Sequence, residues 1–195
     1  MNAETLKTRI LAQDMESVHH HAGSVWPELE RSHIFLTGGT GFFGKWLLHS
    51  IKHVIESEDF NIKITVLTRN PELFCNAEPA LYAFENFSFI TGDIQTFEVP
   101  NLDFTHLIHS AADSGDHVLR TDPIRMFESI VGGAQRVLEF ARRCRVKRLL
   151  WVSSGAVYGV PTDPKDEFSE DWGGQGVNCL EVSSAYTVAK RAGEM

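Results

Sequence analysis

From residue 33 onward the chain alternates between two hydrophobic rhythms. Short apolar runs occupy residues 33–37, 62–68, 87–91, 106–110 and 148–153. Such runs, bounded by polar and glycine-rich segments, predict buried strands. Between them lie longer stretches in which apolar residues return every three or four positions, the mark of helices packed by one face. One runs through 45–55, with Trp46, Leu47, Leu48 and Ile51 on its inner side. A second covers 123–143, with Ile124, Phe127, Val131, Val137, Leu138 and Phe140 as its apolar members. A third opens at 186–194, with Ser183 or Ser184 as its N-cap. Strands separated by helices imply right-handed βαβ crossovers and an α/β, doubly wound parallel sheet in the order 3-2-1-4-5. Ahead of it, Leu6, Ile10, Leu11, Met15 and Val18 recur at helical spacing. Residues 1–30 therefore read as a helical extension to a unit spanning 31–195.

Composition narrows the class. The 195 residues are 43% hydrophobic and 23% charged, which suits one domain with a core. The net charge of −8 argues against polyanionic partners, so neither nucleic acid nor a membrane surface is expected. The basic run Arg142, Arg143, Arg145, Lys147 and Arg148 ends a helix, where cations suit the dipole. Cys75, Cys144 and Cys179 are odd in number and widely spaced, without a CxxC pair. This predicts no disulfide framework and no metal site, in a reducing cytoplasmic setting. The run His19-His20-His21 is expected to be a solvated helix end, because adjacent helical side chains point in different directions.

The first motif with chemistry in it follows the first strand: Thr37-Gly38-Gly39-Thr40-Gly41-Phe42-Phe43-Gly44. Glycines 38, 41 and 44 form GxxGxxG between a strand and a helix, the context a dinucleotide fingerprint requires. The turn lets main chain approach a pyrophosphate, and the helix N-terminus offers it free N–H groups. Gly38, Thr40, Gly41, Phe42, Phe43 and Gly44 are thus the expected cofactor cradle. At the end of the second strand, where an NAD site usually has an acid, stand Arg69 and Asn70. Arg69 suits a 2′-phosphate, which leans the choice between NAD and NADP toward NADP. Asp93 and Ile94 are placed to meet the adenine, and Ser110, Ala111 and Ala112 are small enough to leave room for the cofactor. Asp113, Ser114 and His117, which follow, are candidate substrate contacts.

Tyr186 and Lys190 form YxxxK at the start of the last helix, which places both on one face. An ammonium beside a phenol favours the phenolate, and such a tyrosine can shuttle a proton while nicotinamide moves a hydride. Ser154 ends the fifth strand within reach of the same substrate oxygen, with Ser153 as the neighbouring alternative.

Five ordered segments, TGGTGFFG at 37–44, GDI at 92–94, HSAA at 109–112, SSGAVYG at 153–159 and YTVAKRAGE at 186–194, resemble the extended short-chain dehydrogenase/reductase family, its NAD-dependent epimerase/dehydratase group. The resemblance covers residues 33–195. It implies a Rossmann-like fold, Ser154, Tyr186 and Lys190 as the active triad, and Lys190 also reaching the nicotinamide ribose. It further implies a nucleotide-sugar substrate that is oxidised and reduced again on the enzyme, and a homodimer built on a four-helix interface. Two departures matter. Ile130 stands where family members often carry Asn, and Gly155-Ala156 where 4,6-dehydratases carry Asp-Glu. That favours an epimerase, reductase or decarboxylase. The family continues beyond the YxxxK helix into a substrate domain that is missing here, so the 195-residue chain is expected to bind cofactor but turn over poorly. An NADP-dependent carbonyl reductase on a non-sugar substrate, or a catalytically silent dinucleotide-binding module, are the alternatives.

Overall fold

The computed structural model describes residues 3–112, 119, 121–159, 167–172, 177–178 and 180–195, and side chains from Ile10 onward. Five strands, β1 (His33–Thr37), β2 (Lys63–Thr68), β3 (Phe87–Thr91), β4 (His106–His109) and β5 (Arg148–Trp151), form one sheet in the order β3-β2-β1-β4-β5. Every pairing is parallel, as the alternation of strand and helix predicts. Among the described residues the helices are α1 (Ala3–His21), α2 (Phe42–Glu58), α3 (Pro71–Ala77), α4 (Pro79–Tyr82), α5 (Pro123–Arg143) and α6 (Ser184–Glu194).

The pleat sends successive side chains of β1 to opposite faces. Ile34 and Leu36 point toward α2, joining Ile64, Val66, Leu48, Ile51 and Val54 in one core layer. Phe35 points the other way and stacks on Phe140 of α5 at 4.3 Å between ring centroids. Phe97 and Phe104 complete this second layer. Central strands buried on both faces explain why their sequences read as unbroken apolar runs.

Helix α5 buries the stripe Met126, Ile130, Ala134, Val137 and Phe140, spaced three and four apart, and leaves Ile124 and Leu138 largely exposed. Its N-cap is Asp122, whose side chain accepts the Arg125 N–H. The expected serine cap of α6 differs: Ser183 is the N-cap residue but its side chain makes no capping bond, and Ser184 instead donates to Asn178 O at 2.6 Å. Helix α6 lies on α5, with Ala189 buried against Met126 and Ile130. In front of the sheet, α1 packs on α2 through Met15, 4% exposed, and through Val18, while Ile10 faces solvent. His19 is half-buried rather than solvated, because it faces α2; His20 and His21 are exposed. Among the described residues no helix is long and apolar enough to cross a membrane.

Candidate functional site

A cleft of about 470 Å³ opens at the carboxyl ends of β1, β2 and β4. That is where an open α/β sheet leaves a crevice between helices on its two faces. Its floor is the glycine turn. Gly38 has φ +73°, and a Cβ there would lie 2.6 Å from Ala111 N. Gly41 donates to Gly38 O at 3.0 Å and caps α2 with no side chain in the way. A Cβ on Gly44 would lie 2.3 Å from Gly38 O, so only glycine lets the helix start this close to the turn. The first turn of α2 carries no acidic residue, which leaves its positive end open to an anion.

Of the residues expected to cradle a cofactor, Gly38, Thr40, Gly41, Arg69, Asp93, Ile94, Ser110, Ala111 and Ala112 line this cleft. Gly44 is buried beneath the turn. Phe42 and Phe43 are 71% and 67% exposed and do not line it, so only their main chain could meet a ligand there. Asp93 also holds its own loop, its carboxylate accepting the Gln95 N–H at 2.9 Å. Asp113, Ser114 and His117 lie outside the described residues. Lys45 and Ser129 line the cleft as well, and sequence reasoning passed over both. Lys45 immediately follows the last glycine of the turn, and Ser129 precedes the Ile130 already singled out.

The mouth of the cleft is tied together by polar groups at the ends of β1 and β4. Ser110 Oγ donates to Thr37 O at 2.8 Å, and Thr37 Oγ1 accepts the Ala111 N–H at 3.3 Å. The same hydroxyl meets His109 Nδ1 at 2.6 Å. His109 is 2% exposed and packs on Trp151, 4.7 Å between centroids. Burial, helped by the nearby Lys190 charge, lowers its pKa to about 4. The unfolded chain takes up this proton near pH 6.5 and the folded chain only near 4, so His109 stabilises the neutral fold and that contribution fades as pH falls. Its full size is about 3 kcal/mol, of which about 2 kcal/mol is lost between pH 7 and pH 5. Urea unfolding across that range is expected to lose this increment, and His109→Asn to flatten the slope. An equal slope in the variant would refute the assignment.

The structure gathers the three residues of the expected triad around the end of β5 but does not bond them into a triad. Lys190, 3% exposed, donates to Val152 O at 3.0 Å, and its Nζ sits 5.9 Å from the centre of the Tyr186 ring. Burial lowers the Lys190 pKa, against the opposing pull of Glu194. Ser154 Oγ accepts the Ala156 N–H at 3.2 Å, capping a short 3-10 turn, Gly155–Tyr158. Ser153, the alternative, donates to Glu194. Among the described residues no hydrogen bond joins Ser154 to Tyr186 or Lys190, and none of the three lines the 470 Å³ cleft.

A model of the NAD dependent epimerase/dehydratase family matches residues 34–195. Among individual relatives, an uncharacterized protein of Methanocaldococcus jannaschii is 30% identical over 176 residues, 86% of this chain and 51% of that protein. UDP-glucuronate 4-epimerase 4 of Arabidopsis thaliana is 28% identical over 171 residues, 83% of this chain and 36% of its own length. The fold matches that of UDP-glucuronic acid 4-epimerase from Bacillus cereus, solved in complex with UDP-glucuronic acid and NAD, with a TM-score of 0.66 at 22% identity. That match covers 83% of this chain and 50% of the Bacillus chain. The chain thus spans about half the length of two of these proteins and about a third of the other.

Proposed function

Since the chain belongs to the NAD dependent epimerase/dehydratase family, we propose that it supplies the nicotinamide-dinucleotide half of an oxidoreductase-type enzyme acting on a nucleotide-linked sugar. The observation that carries this reading is the cleft floored by Gly38 and Gly41 at the open N-terminus of α2. A pyrophosphate there would meet main-chain N–H groups and the positive end of the helix. The adenosine would extend toward Arg69 and Asp93, and the nicotinamide toward the end of β5. The roles assigned are Ser154 and Tyr186 on the substrate oxygen, with Tyr186 passing the proton, and Lys190 on the nicotinamide ribose and the phenol. The cofactor supplies hydride acceptance and return. For Lys190 to act so, its ammonium must exchange Val152 O for the ribose, and its burial makes that exchange favourable only with a partner in place.

Arg69 is what favours NADP over NAD in this reading. It lines the cleft, the two residues after β2 are Arg69 and Asn70 rather than an acid, and Lys45, paired with Glu78 at 3.4 Å, lines the same space. A 2′-phosphate suits the Arg69 guanidinium better than a bare ribose does, so NADP is the proposed cofactor. Titration of the 195-residue chain with each dinucleotide tests it. NADP is expected to bind about tenfold more tightly, and Arg69→Ala to remove that margin while leaving NAD affinity within about twofold. Tighter binding of NAD would overturn the choice of cofactor. Failure to bind either dinucleotide would overturn the function.

A further inference from the structure

Glu16 and His19 lie one turn apart on α1, and His53 faces them from α2. One donor atom of each lies within 4.8 Å of the donors of the other two. Glu16 Oε2 and His53 Nε2 are 3.3 Å apart. Tetrahedral zinc bonds of about 2.0–2.1 Å give edges of about 3.3–3.4 Å between donors, so this pair is already at ligand spacing. His53 Nε2 is buried and, though close to Glu16, makes no aligned hydrogen bond among the described residues. A buried ring nitrogen left in that state needs a partner. A second carboxylate, Glu58 Oε1, stands 3.2 Å from His19 Nε2.

We propose that Glu16, His19 and His53 bind one divalent transition-metal ion of the zinc type, with Glu58, which lies outside the 4.8 Å cluster and is 48% exposed, swinging in from beside His19 as the fourth donor. Two imidazoles and two carboxylates balance a dication, and the donor set suits zinc rather than magnesium or calcium, which prefer all-oxygen shells. The helices are held for it by the buried Met15 between them and by Trp26 Nε1, which donates to His19 O at 3.1 Å. The longest separations within the cluster must close by up to about 1.5 Å to reach zinc geometry, and the Glu16 side chain, 76% exposed, is free to do so. The bound ion clasps α1 to the helix that begins at the glycine turn.

The test is calorimetric titration of the full chain, made without an added histidine tag, with Zn²⁺ alone. One equivalent is expected to bind. His53→Ala and Glu16→Gln are each expected to weaken it at least about tenfold, with helix content by circular dichroism unchanged. The double variant His20→Ala/His21→Ala is expected to retain affinity within about threefold, since both rings are exposed and outside the cluster. With Co²⁺ in place of Zn²⁺, the intense visible absorption of four-coordinate cobalt should appear, and vanish in His53→Ala. Should His53→Ala unfold, Glu16→Gln at its exposed position reads the same site. Absence of binding overturns the proposal. So does affinity that survives His53→Ala and Glu16→Gln but is lost in the His20/His21 variant, which would assign the ion to the histidine run.

Discussion

Tyr186→Phe is expected to cut turnover of a nucleotide-linked sugar by about 10²–10⁴-fold, the usual contribution of a positioned acid–base group. Cofactor affinity should stay within about twofold, because the change removes one hydroxyl and keeps the ring. The ring is what packs: Tyr186 sits against Met126, Ile130 and Ala189 where α6 meets α5. The phenylalanine variant should therefore keep that helix pair, and its melting temperature should match that of the parent. Stopped turnover with intact binding is the signature of a proton shuttle. Unchanged turnover would remove Tyr186 from the chemistry.

Gly38→Ala is expected to do the opposite, removing the cofactor while sparing α6. Two independent costs meet at this position. The backbone at φ +73° is one that residues with a Cβ adopt only at about 1–2 kcal/mol. The added methyl would also lie 2.6 Å from Ala111 N and Ser110 C, main-chain atoms held by hydrogen bonds to Thr37. Neither neighbour can yield without parting β1 from β4. The turn must open instead, and the N–H groups at the start of α2 lose their aim. Dinucleotide affinity should fall at least about 100-fold, with stability down by about 2–4 kcal/mol. Calorimetry and urea unfolding of the purified variant measure both. A near-native affinity would mean that the pyrophosphate does not sit on this turn.

The sheet order was legible because every strand announces itself by an apolar run, and only a right-handed crossover joins parallel neighbours. The glycine turn was legible for a similar reason: glycine at 38 and 44 answers a local demand that no other residue meets. What could not be read were contacts made across the chain. His109 looked like part of a small-residue motif, yet its burial against Trp151 and its bond to Thr37 come from strand pairing, 72 residues apart in the latter case. Lys190 carries a motif that suggests a cofactor ribose, but spacing cannot say that its ammonium rests on Val152 O. The four proposed metal donors come from two helices, Glu16 and His19 from α1 and His53 and Glu58 from α2, and the histidine run by itself pointed to only one of them. Phe42 and Phe43 belong to the motif by position, while their rings point into solvent because a helix start exposes its first turn.

Among the described residues β5 is the last strand on one side of the sheet, and both its faces are thinly covered: Leu149 is 39% exposed and Leu150 55%. Unpaired amide and carbonyl groups along such an edge, flanked by leucines, are a template for another strand. Handling of the 195-residue chain is thus sensitive to a place far from the glycine turn. Concentration should drive edge-to-edge association, and light scattering rather than ligand affinity would be the first property to change on storage.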